Sequence, residues 1–541
     1  MKVVLIQPPV QDFYETDVRL QPIGLCYIKA AVKQRLPESD VIIKDYHSGY
    51  GRKTIPLPKE LSFLRDYYPA ADRSPFSLFH QYYHFGASFD RIAEELKEIR
   101  PDIVGISSLF TPYFREAIET ARSISKCLDV PVVMGGPHVS EAPETVLSSE
   151  AVDFVIRGEG ERPFVELLRY LLGDIKIEDV PGLGYKKEGM QFYNPVQENY
   201  TVDSLPLPDL SDLPPARYTI ASKPLAFMIT SRGCPHRCAF CSVHVTFGST
   251  YRRRPVSDII KEIEQRYQEG YRVIDFEDDN LTFHREAFRE LCLRLTEMFP
   301  NKEMEFTAMN GTSYMSLDEE LLGLMYKAGF SSLNLALVSS DREVCKKINR
   351  AHAPDSYAGI VNKAFHAGFR IVSYQILGLP DEGLDSMVRT MAYNTRLPAL
   401  LGASPFYRTP KAPLSEGLTF SEEDYIRARL SALAPETDSF SRGDIYTLFI
   451  AARIINFLKG LELPESAELH ELLHRSWEND RIRIGMELLR ELKETGTLYF
   501  MTSKGKVPNT KFRTGLFMSL IRESGYVTCQ NGKEINVRMF G

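Results

Sequence analysis

The chain has 541 residues, 43% of them hydrophobic and 25% charged, with a formal net charge of −7. At roughly 150 residues per domain this is enough for three or four domains. The balance excludes a disordered chain, a fibrous repeat and a disulfide-dense miniprotein, and its acidity argues against a dedicated nucleic-acid binder.

The opening Met1-Lys2-Val3-Val4-Leu5-Ile6 reads directly as a strand. It predicts no preceding signal peptide and a cytoplasmic location. No uncharged apolar run reaches the ~18 residues that span a bilayer, so no membrane span is expected. Strand-like runs at 3–7, 41–44, 103–107, 132–134 and 154–157 alternate with helical patterns at 25–35, 89–99, 114–125 and 162–172. Such alternation builds a parallel sheet with helices on both faces, so residues 1–180 are expected to form a doubly wound, Rossmann-like α/β domain. Residues 50–88, rich in Tyr, Phe and Pro, interrupt the pattern as an insertion.

Pro195, Pro206, Pro208, Pro214 and Pro215 mark residues 181–224 as an extended linker. A second alternating series follows, with strands at 225–230, 273–277, 305–307, 333–338 and 371–377. Helices are expected at 257–269, 285–299, 318–328, 355–367 and 384–394. Five or six βα units over 225–410 are too few for a closed eightfold barrel and predict a partial, (β/α)6 one. Residues 411–541 read as mainly helical, with helices at 421–433, 442–459 and 482–495. Ile445, Leu448, Phe449, Ala452, Ile455 and Leu458 form one stripe, suited to a core or to the wall of a cavity for an apolar substrate.

There are eight cysteines. Cys26, Cys127, Cys292, Cys345 and Cys529 lie singly in apolar or helical sequence and read as buried small hydrophobes in a reducing compartment. Cys234, Cys238 and Cys241 stand in C-x3-C-x2-C spacing, after a strand and before a helix. Three thiolates on one tight loop can hold three irons of a cubane and leave the fourth iron open. A structural zinc, with His236 or His244 as fourth ligand, is the competing reading.

The triplet, with Phe240 just before its last cysteine, resembles the signature of radical S-adenosylmethionine (radical SAM) enzymes. The resemblance implies the partial barrel and a 4Fe–4S cluster on Cys234, Cys238 and Cys241. Its open iron would chelate the amino and carboxylate groups of SAM. One electron then breaks the sulfonium C–S bond and yields a 5′-deoxyadenosyl radical. Phe276-Glu277-Asp278-Asp279-Asn280 is similar to the segment that contacts the SAM amino group, which implies roles for Asp278, Asp279 and Asn280. Ile376-Leu377-Gly378-Leu379-Pro380-Asp381-Glu382 is similar to the glycine-containing motif along the adenine, which implicates Gly378 and Leu379. One departure stands out. Where members often carry Gly-Ile-Glu-Ser, this chain has Ala336-Leu337-Val338-Ser339. Val338 replaces the acid, and Ser339 and Arg350 are then expected to hold SAM instead.

In a doubly wound domain the ligand sits at the carboxyl ends of the strands. Those ends read Gln7-Pro8-Pro9, Ser107-Ser108-Leu109, Gly135-Gly136-Pro137-His138 and Gly158-Glu159-Gly160-Glu161. With Pro22-Ile23-Gly24-Leu25, and placed before a radical SAM core, they resemble the cobalamin-binding domain of cobalamin-dependent radical SAM enzymes. The resemblance implies cobalamin contacts from Pro8, Ser107, Ser108, Leu109, Gly135, Gly136, Pro137, His138, Gly158 and Glu159. Asp45-Tyr46-His47-Ser48-Gly49 is superficially similar to the corrinoid motif Asp-x-His-x-x-Gly. Its glycine is displaced and it follows the second strand, so His47 is not assigned to cobalt. Cobalamin is expected base-off, without a protein ligand.

The two resemblances together imply methylation of an unactivated carbon of a small-molecule or lipid-like substrate. A second SAM would remethylate the corrinoid, and an external flavodoxin- or ferredoxin-type protein would supply single electrons. The same cofactors also serve reactions without methyl transfer: oxidative cyclisation, rearrangement or aminocarboxypropyl transfer. Methylthiolation would need three further cysteines in the N-terminal domain, which holds only Cys26 and Cys127. A non-catalytic sensor would not need the cysteine triplet. No residue pattern names the substrate or a catalytic acid or base.

Overall fold

The computed structural model describes residues 1–541 apart from 15–20, 197–201, 203–204, 351–353, 434–435, 539 and 541. Part of the expected linker therefore lies outside the described residues. The chain divides into two compact units. The first comprises Met1–Pro56, Tyr82–Asp279 and Arg408–Ala428, and the second Leu57–Gln81, Asn280–Tyr407 and Arg429–Gly541. These units cross the expected domain limits at 180, 224 and 410, because each collects segments remote in sequence around its own core.

In the first unit, short aliphatic runs buried on both faces build the central strands. They are β1 (Lys2–Gln7), β2 (Asp40–Asp45), β3 (Ile103–Ser107), β4 (Val132–Gly135) and β5 (Phe154–Ile156). All five are parallel. A hairpin of β6 (Leu183–Lys187) and β7 (Met190–Tyr193) extends the sheet antiparallel beside β5. The order is β7-β6-β5-β4-β3-β1-β2. Residues 183–193 are thus sheet and not linker: the first of the expected prolines, Pro195, comes only after the hairpin has paired. Helices α1 (Ile23–Arg35), α2 (Phe89–Ile99), α3 (Phe114–Ser125), α4 (Pro137–Glu141) and α5 (Glu161–Leu171) accompany the sheet. The core order 2-1-3-4-5 reverses between β1 and β3, and such a reversal opens a crevice at the carboxyl ends of those two strands.

The expected insertion resolves into two parts. Val10–Asp12, Tyr82–Phe85 and Arg52–Ile55 pair as an antiparallel ribbon in the first unit. Leu57–Gln81 belongs to the second. The first unit continues through β8 (Lys223–Met228) and its parallel neighbour β9 (Val273–Phe276). Between them lie the cysteine loop, α6 (Val243–Phe247) and α7 (Val256–Gln268).

The second unit continues the strand–helix alternation: α8 (Arg285–Met298), β10 (Glu305–Thr307), α9 (Glu319–Ala328), β11 (Ser332–Val338), α10 (Pro354–His366), β12 (Arg370–Leu377), α11 (Leu384–Thr395) and β13 (Leu400–Pro405). Strands β11, β12 and β13 are parallel neighbours. Counting β8 and β9, six strands alternate with helices, as expected of a (β/α)6 partial barrel. Then come α12 (Arg442–Lys459), α13 (Asp480–Thr495) and α14 (Thr514–Ser524). A capping box of Ser441 and Asp444 starts α12, and the Asn479 side chain caps α13. The single helix expected over 421–433 is broken. Glu422–Arg427 is helical, Ala428 leaves helical backbone, and a 3-10 turn follows at Leu430–Ala432.

Lys459 ends α12 fully buried. Its Nζ donates to the carbonyls of Thr395 (2.8 Å), Leu397 (2.6 Å) and Thr528 (3.0 Å), tying the helix to the end of α11 and to a C-terminal strand. Among the described residues no helix is long and apolar enough to cross a membrane.

Candidate functional site

The cysteine loop is closed at its base by a two-residue ladder, Ser231–Arg232 against Arg252–Arg253. Gly233 begins the loop at φ +78°. A Cβ there would lie 2.5 Å from the Thr250 carbonyl, so only glycine permits the crossing. The Cys241 N–H donates to the Cys238 carbonyl at 3.1 Å, folding the last two cysteines into a tight turn. Cys238 is buried, and Cys234 and Cys241 are half-buried. Burial, followed by the neighbouring Cys238, Asp279 and Cys234, pushes the Cys241 thiol up to about 11, the Val243 N–H working against them. The three sulfurs are thus mutual neighbours in a partly dry pocket. A cubane takes one thiolate at each of three irons, and three thiols carried on one short loop suit it.

Both aspartates after β9 turn toward the start of this loop. Asp278 is fully buried. It accepts the Thr230 N–H (3.1 Å), the Thr230 hydroxyl (2.6 Å) and the Ser231 hydroxyl. Burial raises its pKa against those bonds. Its oxygens are committed to protein, so the expected SAM role does not fit Asp278; it braces the chain ahead of the cysteines. Asp279 is half-buried and accepts the Gly233 N–H at 3.1 Å through one oxygen. Burial pushes it up to about 6, partly offset by that N–H. It is the carboxylate left to meet a cation. Asn280 is the next residue and is buried in the second unit.

The carboxyl end of β5 meets the same loop. Arg232 is 4% exposed; its guanidinium reaches Glu159 at 2.6 Å and Glu161 at 2.5 Å, and Arg252 reaches Glu159 at 2.5 Å. Burial opposes the charge on Arg232, but Glu161 and then Glu159 outweigh it and hold the guanidinium above its ordinary range. Glu159 is therefore consumed by two arginines and does not face a ligand as expected. A Cβ on Gly158 (φ +77°) would meet Val196 at 3.1 Å and the Thr246 carbonyl at 3.7 Å, so Gly158 too abuts protein. Glu141 adds a further tie. Burial lifts it to about 7, against bonds from Ser242 and Thr111. Arg232, Arg252, Glu161 and Glu141 escaped sequence reasoning. The alternating Gly-Glu-Gly-Glu run and the basic 252–254 triplet were the available signals.

At the β1–β3 crevice the expected residues divide. Pro8 and the Ser107–Leu109 loop lie there. The Ser108 hydroxyl is buried without a hydrogen-bond partner, a polar atom suited to a ligand's amide or phosphate. Leu109 packs against the Val10, Tyr83 and Phe85 cluster. Gly136 (φ +113°) crosses the Ser108 carbonyl so closely that a Cβ would stand 2.7 Å from it. Gly135 and Pro137 flank it, half-buried. His138 points inward: its ring lies between Phe114 and Tyr425, 5.2 Å from each, with Nδ1 3.4 Å from the Thr111 hydroxyl. Burial drops it to about 4, which leaves the ring neutral. His47 is fully buried, 6.4 Å from the Phe85 ring, in the loop after β2.

In the second unit Val338 sits at φ +70°, in the left-handed region a β-branched residue rarely adopts, where the β11–β12 register shifts. The kink sends the fully buried Ser339 toward β12's loop, and its hydroxyl donates to Glu382 at 3.2 Å. Ser386 donates to the same Glu382 oxygen at 3.0 Å. Burial lifts Glu382 to about 7. The acid that Ser339 meets thus comes from the loop after β12. Arg350 donates to the Ala336 carbonyl at 3.3 Å. Gly378 differs from expectation: its Cβ direction is filled by Phe440 (3.2 Å) and Ile445 (3.1 Å), and Leu379 is fully buried.

Two family profiles match the chain: the B12 binding domain over residues 79–168 and the Radical SAM superfamily over 228–393. The radical SAM match takes in the cysteine loop and strands β9 to β12. The B12-binding match precedes the radical SAM match in the chain. The chain is 28% identical over 406 residues to an uncharacterized methyltransferase of Pyrococcus horikoshii, covering 73% of this chain and 78% of that one. It is 26% identical over 420 residues to the cytidylyl-2-hydroxyethylphosphonate methyltransferase of Streptomyces wedmorensis, covering 70% and 73%. The solved structure of the radical SAM methyltransferase TsrM from Kitasatospora setae, with cobalamin and a 4Fe–4S cluster bound, superposes with a TM-score of 0.57 at 17% identity. That match covers 76% of each chain and shows the shared fold.

Proposed function

We propose that this chain is a cobalamin-dependent radical SAM methyltransferase that acts on an unactivated carbon of a small-molecule or lipid-like substrate. The observation that carries the reading is the fastening of the cysteine loop, through Arg232, onto the β5 end of the B12-binding fold. When bound, a 4Fe–4S cluster supplies one electron to SAM and cobalamin supplies the methyl group. Cys234, Cys238 and Cys241 would hold the irons. Asp278 and Gly233 fix the loop's entry so that the thiols keep their spacing. Asp279 is the group to pair with the SAM ammonium, a charge-assisted contact. Pro8, Ser107 and Ser108 would face the corrin. The buried Arg232–Glu159–Glu161 network would hold the cysteine loop against the strand ends. An external one-electron reductant of flavodoxin or ferredoxin type in the cytoplasm would complete the system.

The test is anaerobic reconstitution with iron, sulfide, cobalamin and a reductant, then incubation with methyl-deuterated SAM and a metabolite extract. 5′-Deoxyadenosine and a product carrying the labelled methyl are expected from the native chain, and neither from Cys238→Ala. A product without the label would replace methylation with a cyclisation or rearrangement. Deoxyadenosine from Cys238→Ala would remove the cluster assignment.

A further inference from the structure

A second cavity lies wholly within the second unit, between the free edge of β13 and the helices α12 and α13. It is a cleft of about 510 Å³, within the range of small-molecule sites. Its walls are mixed: Leu401 from β13, Phe449 and Phe457 from α12 and Ile482 from α13 form apolar patches beside Asn456 and Asn479. The floor is rigid, because Asn456 clamps the strand edge in both directions. Its Oδ1 accepts the Leu401 N–H at 2.8 Å and its Nδ2 donates to the Leu401 carbonyl at 2.9 Å. The Lys459 tie anchors the same helix one turn on.

Two cations face this space, the half-buried Arg453 of α12 and the exposed Arg481 in the first turn of α13. No aspartate or glutamate lines the cleft. Neither arginine has a hydrogen bond or ion pair among the described residues. Arg453 bears the cost. Burial pulls its pKa below the ordinary range, Arg481 adds to that pull, and Tyr68 only partly offsets it. A guanidinium held this way is satisfied by a planar or tetrahedral oxyanion that accepts its forked N–H groups. The aromatic walls beside it suit an apolar body attached to that anion.

We propose that this cleft binds the acid group, carboxylate or phosphate, of an apolar organic anion, with Arg453 and Arg481 as the anion-recognising residues. The inference stands apart from the radical chemistry, since occupancy is read without SAM, reductant or turnover.

Isothermal titration of the full chain with octanoate, octyl phosphate, octanol and inorganic phosphate tests it. Saturable one-to-one binding is expected for octanoate, octyl phosphate or both, at least about tenfold tighter than for octanol, since a charge-assisted pair is at stake. The two octyl acids distinguish carboxylate from phosphate recognition. Weak binding of inorganic phosphate shows that the apolar patches contribute. Arg453→Gln and Arg481→Gln should each weaken the preferred acid about tenfold and leave octanol unchanged. If Arg453→Gln unfolds early in a thermal melt, the exposed Arg481→Gln carries the test. Equal affinity for octanol and the acids, native acid affinity in Arg481→Gln, or no saturable binding of either acid overturns the proposal.

Discussion

Replacing Arg232 by methionine tests the join between the B12-binding fold and the cysteine loop. In the native chain Arg232, Glu159 and Glu161 are 4%, 7% and 6% exposed, so none is rescued by solvent. The variant leaves Glu159 paired with Arg252 at 2.5 Å but leaves Glu161 without its arginine. Removing one partner of a buried pair costs about 3–5 kcal/mol, because the remaining charge stays buried. At about 2–4 °C per kcal/mol for a large domain, the transition of the first unit should fall by on the order of 10 °C. Differential scanning calorimetry reads this directly, and iron retained after reconstitution reports the loop. The companion Arg232→Met, Glu161→Leu chain replaces ion pair by apolar pair and should regain most of the loss, as such swaps often do. A single variant that melts within about 2 °C of native, or a double variant that regains nothing, would refute the view that this pair fastens the loop.

The two aspartates should behave differently. Asp279→Asn should weaken SAM binding by about one to two decades, the worth of a charge-assisted bond, with iron content unchanged in calorimetric titration. Asp278→Asn should instead lower iron retention, since its carboxylate braces Thr230 and Ser231. For Glu382, burial raises the folded pKa from an ordinary 4.5 to about 7. Its contribution to stability is therefore full below the ordinary value and is lost as pH rises through about 7. Urea midpoints across that window should fall less steeply for Glu382→Gln than for the native chain. Lys459 runs the other way: burial lowers it to about 7, so the unfolded chain binds more protons above that pH and stability rises toward 10.5. Lys459→Met should abolish that rise. It should also cost about 1–3 kcal/mol or more in chemical denaturation, by stripping donors from three buried carbonyls.

The cysteine triplet, the alternation of strand and helix, and the long helix α12 were legible in the sequence because each is a property of neighbouring residues. Thiol spacing within one loop and a period of two or of 3.6 need no knowledge of the rest of the chain. The fate of individual side chains was not legible. Glu159 and Arg232 lie more than seventy residues apart, and only the packed strand ends decide that one neutralises the other. Asp278 and Asp279 are adjacent and alike, yet burial on one side of a turn commits the first to Thr230 and leaves an oxygen of the second free. Gly378 has the backbone freedom expected of a ligand contact, but Phe440 and Ile445, distant in sequence, fill its open face. Val338 takes the place of an acid, and a kink in β11 lets Glu382 reach Ser339 from the next strand's loop. Local periodicity chooses which elements form. Which polar group each buried residue meets depends on desolvation, and that is settled only when remote segments pack and water is gone.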